Sequence, residues 1–338
     1  MKTKLLIISN DKIFIRNRYY TSNNDLNTIL ESFTGNADTY LIARKYNKKL
    51  DFSIDAISRK NKIFFLSFSE LKKLSKNFKD NCKILMISIT PFNFFIFFYL
   101  KYILRVKIKG HLYLRSDGFK EYEAKYYKFG YFIYYLLFKI LTNSLSIISC
   151  SSNFTNVKNF IRVYPTEIDF NWINKRKKPH LKIPKLLFIG RYKVEKGIFS
   201  LLELLKQIKI DYNFLFIGYH KDLKVDKKIH FKKKTNSANV IRSYYDQSNI
   251  FILPSYTEGY PKVILESLAR LRPVIVFDDI KHVKKGLIGV FSCKRDANSL
   301  VNKVQFIINN YYIIQKKMTQ NKLHTKKKFQ DRLKGICL

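Results

Sequence analysis

The feature that most limits what this chain can become is a rhythm in its second half. Runs at residues 186–189, 214–217, 250–253 and 274–277 are four residues long and wholly apolar. Runs of that length with no alternation are the mark of strands buried on both faces. Segments 198–208, 236–247, 261–269 and 297–308 read instead as helices, and in the first of them Ile198, Leu201, Leu202, Leu205 and Ile208 share one helical face. Strand and helix in turn predict a parallel sheet with helices on both sides, an α/β domain.

A chain of 338 residues is longer than one core usually organises, so two domains are expected. The first half shows a looser version of the same rhythm. Its opening apolar run, Leu5-Leu6-Ile7-Ile8, passes into Asn10-Asp11-Lys12 with no small-residue cleavage site, and reads as a first strand, not a signal peptide. Residues 84–104 are nearly all apolar and long enough to raise a membrane span, but Pro91 and Asn93 break them. The reading is a strand at 84–88, a loop at 89–93, a helix at 94–104 and a returning strand at 106–115. A second greasy helix at 126–141 carries only Lys128 and Lys139 and precedes a strand at 144–149. Two readings of these helices stand: deep core packing, placed first, and a membrane interface with the lysines toward lipid phosphates. Residues 161–179, with Pro165 and Lys175-Arg176-Lys177-Lys178-Pro179, read as the linker between domains at 1–168 and 180–309.

Lys and Arg number 64 against 25 Asp and Glu, a formal charge of +39. Lys, Asn, Ile, Phe and Tyr are high together, as an AT-rich genome would make them, so composition and an anionic partner both account for the charge. The basic residues are spread along the chain and not gathered in one arm or helix, which argues against a nucleic-acid binder. Cys82, Cys150, Cys293 and Cys337 lie far apart with no CxxC pair, which excludes a dense disulfide framework and fits a reducing, cytoplasmic setting. Six scattered His residues and the lack of a DxD motif give no metal-ligand spacing.

Two segments carry chemistry. Gly190-Arg191-Tyr192-Lys193-Val194-Glu195-Lys196-Gly197 lies between a strand and a helix, where open α/β sheets bind ligands. It is not a Walker motif, because its Lys precedes the Gly and no Ser or Thr follows. It offers two cations, Arg191 and Lys196, beside a helix start, which suits a diphosphate; alone, it would also read as solvated charge. The second segment is Tyr256-Thr257-Glu258-Gly259-Tyr260-Pro261-Lys262-Val263-Ile264-Leu265-Glu266. Pro254-Ser255 ends a strand, Glu258-Gly259 opens a turn and Pro261 is a good first helical residue. The backbone N–H groups from Gly259 to Val263 are then available to an anion, with Glu258 and Glu266 on either side for sugar and ribose hydroxyls.

These residues resemble the GT-B fold glycosyltransferases of the group 1 type, called family 4. That family is recognised by a strand ending in Gly-Arg, a Lys-Gly opening the next helix, and a Glu-x7-Glu motif within Pro-Ser-x-x-Glu-Gly-x-Pro. The matching positions are Gly190-Arg191, Lys196-Gly197, Pro254-Ser255, Glu258-Gly259, Pro261 and Glu266, followed by Arg272-Pro273-Val274 where the family has Gly-Pro-Val. The resemblance implies two Rossmann-like domains with parallel sheets facing across a cleft, and a final helical stretch within 310–338 packing back on the first domain. It implies a retaining, hexosyltransferase-like enzyme that moves a sugar from a nucleoside-diphosphate sugar to a glycan or lipid-linked acceptor. Together with the basic, aromatic character of the first domain, it points to bacterial cell-surface polysaccharide synthesis, lipopolysaccharide O-antigen or capsule, with peripheral contact to an anionic membrane at the inner face of the cytoplasmic membrane.

By the same resemblance Arg191 and Lys196 hold the diphosphate, Glu266 the ribose and Glu258 the hydroxyls of the transferred sugar. Gly190, Gly218, Gly259, Tyr260, Pro261, Lys262 and Val263 complete the donor site. No metal or other cofactor is expected, since protein cations would stand in for magnesium. Two departures are visible: Ser9-Asn10-Asp11-Lys12 lacks the glycine-rich loop, and Gly218-Tyr219-His220 replaces Gly-x-Gly. In the first domain His111 and Arg115-Ser116-Asp117-Gly118 fall where acceptor-side polar residues are expected; Asp117 is the candidate for orienting the acceptor, the other reading being a turn-forming Asp-Gly. The rival functions are a non-catalytic GT-B-like subunit of a polysaccharide-synthesis complex and, less favoured by the spread of charge, a nucleic-acid binder.

Overall fold

The computed structural model describes residues 2–46, 55–78, 82–151, 154, 157, 159–174, 176–224 and 227–338. The chain divides into two compact units, Met1–Pro165 with Lys326–Leu338, and Thr166–Thr325.

Unit 1 is built on one sheet of nine strands among the described residues. They are β1 (Thr3–Ile15), β2 (Tyr19–Thr21), β3 (Ala37–Tyr46), β4 (Asp55–Ala56), β5 (Lys62–Phe65), β6 (Cys82–Ile87), β7 (Ile108–Leu114), β8 (Leu145–Ser149) and β9 (Phe160–Arg162). The parallel body runs β5-β3-β1-β6-β7-β8-β9, while β2 and β4 add an antiparallel extension at the far end of β1. Side chains alternate across the sheet, so Leu6 and Ile8 of β1 join one core and Leu5 and Ile7 the other. Leu71, Leu74, Ile96, Phe97, Tyr134 and Leu141 bring helices Phe68–Ser75, Pro91–Phe98 and Gly118–Thr142 onto the first face. Helix Asn24–Phe33 and the C-terminal helix Lys326–Cys337 cover the second, through Leu26, Ile29, Phe329 and Leu333.

Local chemistry moves two expected boundaries. The first greasy helix begins at Pro91 and not at 94, because the Thr90 side chain accepts from Asn93 N at 3.2 Å and proline suits the first turn. Asn93 is wholly buried and donates to the carbonyls of Ile87 at 2.6 Å and Ser88 at 2.9 Å, so it anchors the helix to the end of β6. The second greasy helix begins at Gly118, well before 126, because Asp117 caps it by accepting from Phe119 N and Lys120 N. It kinks at Tyr126 and Tyr127, where Tyr127 takes a φ of 55°. Among the described residues no helix is long and apolar enough to cross a membrane.

Unit 2 contains β10 (Lys185–Ile189), β11 (Asn213–Tyr219), β12 (Leu223–Lys224), β13 (Ile229–Lys233), β14 (Ile250–Leu253), β15 (Val274–Phe277) and β16 (Val290–Cys293). Their order is β12-β13-β11-β10-β14-β15-β16, parallel throughout except for β12. The sequence pattern missed β13 and β16, which are interrupted by polar residues at His230 and Ser292. Without the edge strand β12, the order is that of a doubly wound sheet, whose chain reverses direction of travel between β10 and β14.

The expected linker is not a free connection. Residues 160–162 pair with β8 in unit 1, whereas Ile168 and Trp172 are buried in the core of unit 2; residue 175 lies outside the described residues. Arg270 fastens this stretch to unit 2. It pairs with both carboxylate oxygens of Asp246 at 2.8 and 2.9 Å and donates to the carbonyls of Asn171, Trp172 and Asn174. The expectation for 310–338 also needs correction. Helix Tyr311–Met318 stays with unit 2, burying Tyr311, Ile314 and Met318, and the Tyr311 hydroxyl donates to Asn249 O at 2.7 Å. Only residues 326–338 belong to unit 1.

Candidate active site

In a doubly wound sheet the loops after the two strands that flank the reversal splay apart and leave a crevice at their carboxyl ends. In unit 2 those loops follow β10 and β14, and they contain both segments singled out in the sequence. Glycine lets them meet. Gly197 has a φ of 65° and caps the start of helix Ile198–Gln207; a Cβ there would lie 1.9 Å from Pro254 O. Tyr256 N also donates to Glu195 O at 3.2 Å. On the other side of β10, Gly218 has a φ of 126°, and a Cβ on it would lie 1.9 Å from Gly190 O. The lone glycine after β11 therefore has a steric reason to be there, even without the expected Gly-x-Gly.

Across this junction the Lys196 ammonium lies 2.6 Å from Glu258 Oε1, with both side chains mostly buried. Ser255 Oγ donates to the same oxygen at 2.7 Å. The His282 ring, through Nε2, donates to the backbone carbonyl of Glu258 at 3.0 Å, which fixes the turn from a third loop. The structure thus brings Lys196 and Glu258 together directly. Arg191 is different: its side chain is 65% exposed, and its one ion pair among the described residues is with Glu195, at 3.5 Å. Exposed pairs of this kind contribute about 0–1 kcal/mol, so little holds Arg191 in place.

Helix Lys262–Ala269 starts one residue later than expected, with Pro261 as its cap and no side-chain cap bond. A helix start without such a bond leaves backbone donors for an outside acceptor. Gly259 has open space where a Cβ would sit, while Tyr260 and Val263 pack their partly buried side chains against the core. Glu266, on the same helix, accepts from the Tyr245 hydroxyl at 3.1 Å; that hydroxyl lies equally 3.1 Å from Val263 O. Burial raises the Tyr245 pKa well above its ordinary value, and the neighbouring Glu266 charge adds to this, so the hydroxyl stays a donor.

Two cations escaped the sequence reading. Arg295, just after β16, lies 4.3 Å from the Tyr256 ring and 4.4 Å from that of Phe277, pairs with Asp279 at 2.7 Å and donates to Ser200 Oγ at 2.9 Å. Lys234, just after β13, has its pKa lowered first by burial and then by the charge of Arg191, which places a second cation beside that arginine. Neither sits in a motif; only the strand order brings them to this end of the sheet. Among the described residues no group of three or more His, Cys, Asp or Glu is placed to hold a metal ion.

Unit 1 has its own crevice at the corresponding reversal, between β1 and β6. It is a pocket of about 750 Å³ whose polar lining includes Asn10, Asp11, Arg115 and Glu121 and whose aromatic wall includes Tyr122 and Phe129. A register shift in β1 between Ile8 and Lys12 turns Asp11 into it. Ser9 Oγ and Asn23 Nδ2 donate to the Asp11 carboxylate at 2.6 and 2.7 Å, and Arg115 stands 3.7 Å away. The sequence candidate Asp117 has its carboxylate engaged as the helix cap, the turn-forming reading of that residue. His111 is also occupied, its Nε2 donating to Ile336 O at 3.0 Å on the C-terminal helix.

Residues 183–310 match the family model described as glycosyl transferases group 1. An uncharacterized glycosyltransferase of Methanocaldococcus jannaschii is 30% identical over 159 residues, 42% of this chain and 43% of the relative. The N,N'-diacetylbacillosaminyl-diphospho-undecaprenol alpha-1,3-N-acetylgalactosaminyltransferase of Campylobacter jejuni is 23% identical over 167 residues, 46% of this chain and 43% of the relative. The match spans less than half the length of either relative. HepE of Anabaena, solved in complex with UDP and glucose, superimposes with a TM-score of 0.61 at 11% identity, covering 99% of this chain and 95% of that one. Residues 183–310 are therefore similar to the group 1 glycosyl transferases, in a chain whose two mostly parallel sheets have the GT-B fold.

Proposed function

We propose that the protein is a retaining glycosyltransferase that takes its sugar from a nucleoside-diphosphate donor bound in unit 2. The observation that carries this reading is the Lys196–Glu258 pair beside the uncapped start of helix Lys262–Ala269. In the reaction the anomeric carbon exchanges its bond to the β-phosphate oxygen for one to an acceptor hydroxyl oxygen, the hydroxyl's proton passes to the departing diphosphate, and negative charge grows on that diphosphate as the old bond breaks. Fixed positive groups and helix N–H dipoles aimed at that charge lower the barrier. Arg191 and Lys196 supply the cations, in the place magnesium would otherwise take. As the diphosphate arrives, Lys196 exchanges Glu258 for a phosphate oxygen, and the freed carboxylate oxygen accepts a hydroxyl of the transferred sugar. Glu266, oriented by Tyr245, holds the ribose.

The acceptor, a glycan or a lipid-linked glycan, is assigned to the unit 1 pocket, where Asp11, Glu121 and Asn10 offer the polar groups that sugars use and aromatic rings offer flat faces. Asp11 takes over the acceptor-orienting role first given to Asp117. The pathway proposed is bacterial cell-surface polysaccharide synthesis at the cytoplasmic side of the membrane, with peripheral contact to its anionic lipids. The lipid-linked name of the Campylobacter jejuni relative and the UDP bound by HepE support the choice of acceptor and donor class.

A panel of UDP-, GDP- and ADP-sugars tested for thermal stabilisation, then for consumption in the presence of membrane lipid extract, checks the proposal. One donor should stabilise the wild type, not Lys196→Ala, and be consumed. Stabilisation without consumption in any extract would favour the non-catalytic binding subunit; no stabilisation by any donor would remove the donor site.

A further inference from the structure

We infer that the outward face of the kinked helix Gly118–Thr142, with its neighbour Pro91–Phe98 and the π-helical turn Tyr99–Ile103, docks the protein on an anionic lipid surface. Beyond the kink, Phe129, Tyr131, Phe132, Tyr135, Leu136 and Ile140 are exposed, three or four residues apart along one side, while Gly130, Tyr134 and Leu141 are buried on the other. The neighbouring segment exposes Phe95, Phe98, Tyr102 and Ile103, and Phe68 extends the cluster through ring contact with Phe95 at 6.2 Å. Both helices cover the same face of the sheet, and Lys101 at the end of one donates to Ser144 just beyond the end of the other. The core-packing reading of these helices therefore describes only their inner sides.

Charge selects the occupant. No acidic residue occurs between Asp80 and Asp117, or between Glu123 and Glu167, whereas Lys101, Arg105, Lys107, Lys128 and Lys139 lie in these stretches. Beyond the kink the helix carries only basic charge, with Glu121 and Glu123 standing before it, and an aromatic and aliphatic face with lysines of this kind is the composition of an interfacial helix, its rings at headgroup depth and its lysines toward phosphates. A second copy of a chain of charge +39 would bring like charge against like. The face also continues into the unit 1 pocket, because Tyr126 and Phe129 line the pocket and are themselves exposed. An acceptor carrying an apolar anchor would therefore reach the pocket from the lipid plane. The docking deepens the membrane contact of the proposed function by naming the face that makes it, and the acceptor's route rests also on the donor and acceptor sites of that reading.

The test is co-sedimentation of the full chain with phosphatidylglycerol–phosphatidylcholine vesicles and with phosphatidylcholine alone. Binding to the mixed vesicles should exceed binding to the neutral ones, and should fall at least about tenfold when Phe132→Ser, Leu136→Ser and Ile140→Ser are combined. Tyr312→Ser with Ile313→Ser, an exposed apolar pair in unit 2, should leave it unchanged. Equal binding by the triple variant, an equal loss in the unit 2 variant, or a dimer abolished by the triple variant without any effect of lipid would each overturn the inference. Thermal stabilisation by UDP, measured on the same samples, separates the two readings. If it persists while vesicle binding fails, docking alone is wrong; if no nucleotide stabilises the wild type, the donor site is wrong and the vesicle result still stands.

Discussion

The Lys196 ammonium, 2.6 Å from Glu258 Oε1, joins the loop after β10 to the loop after β14 across the point where the sheet reverses its order. The pair is largely buried, so it is worth more than a surface ion pair and leaves a desolvated charge when halved. Lys196→Ala should lower unfolding stability by about 1–3 kcal/mol and donor turnover by roughly a hundredfold. Glu258→Gln should retain diphosphate binding and lose turnover. Urea denaturation together with nucleotide titration checks both; a Lys196→Ala protein with wild-type affinity for the nucleoside diphosphate would refute the exchange of partners.

Tyr245 has one hydroxyl hydrogen and two acceptors at 3.1 Å, Val263 O and Glu266 Oε2. Tyr245→Phe removes the donor from a fully buried place and should cost about 1–2 kcal/mol. Its functional effect should appear as a donor KM raised about threefold to tenfold, with kcat within a factor of about two, because a misdirected Glu266 weakens ribose binding in ground and transition states alike. A change confined to kcat would show that Glu266 acts elsewhere.

Gly218→Ala should be among the most damaging single methyl additions in unit 2. The new Cβ would meet the Gly190 carbonyl oxygen at 1.9 Å in a backbone conformation of φ 126° that side chains rarely adopt. Neither strand can move without breaking the β10–β11 register, so a loss of roughly 2–4 kcal/mol is expected in chemical denaturation. Gly259→Ala, with open space at its Cβ, should cost less than about 1 kcal/mol. Similar losses for the two would mean that the close approach of Gly218 to Gly190 is relieved in solution.

His111 predicts an acid sensitivity of unit 1. Burial lowers its pKa; the bond to Ile336 O opposes this and the charge of Lys83 adds to it, with the lowering dominant. Because a carbonyl can only accept, the ring proton is on Nε2, and Nδ1 is buried with no hydrogen-bond partner among the described residues. Protonation would create a buried charge and a donor with nothing to accept it. The unfolded chain takes up that proton near pH 6.5 and the native chain only below it, so stability is full above about pH 6.5 and is lost as pH falls toward the lower native value. The drop in melting temperature between about pH 7.5 and about pH 5.5 should be smaller in His111→Gln. An unchanged drop would assign the acid sensitivity to other groups.

The two loops proposed to hold the donor were legible in the sequence because each is a contiguous phrase. Gly190 to Gly197 and Pro254 to Glu266 each follow a wholly apolar strand and precede a helix, and both lie at strand ends in the fold. Asp11 was not legible. It became a pocket residue through a register shift in β1 and through partners at Ser9, Asn23 and Arg115, the last of them 104 residues away along the chain. Asp117 looked the stronger candidate because Asp-Gly stands out locally, yet local chemistry is what employs it, as a helix cap. The greasy helices showed a similar limit. Their composition allowed core or interface, and only the orientation of the helix on its sheet shows that one side is buried and the other open.

By itself the sequence determined two α/β lobes, the donor-type segments and the family they resemble, because strand burial, helix faces and turn glycines are set by neighbours a few residues apart. Tertiary structure decided that Lys196 meets Glu258, that Tyr245 reaches Glu266, that Arg295 and Lys234 come to the same end of the sheet as Gly190, and that the stretch from 310 to 338 is shared between the units. Contacts like these depend on strand order and on steric fits such as that of Gly197 against Pro254 O, which join positions far apart along the chain. No local pattern specifies them, because the free energy of such a contact belongs to the packed arrangement and not to either segment alone.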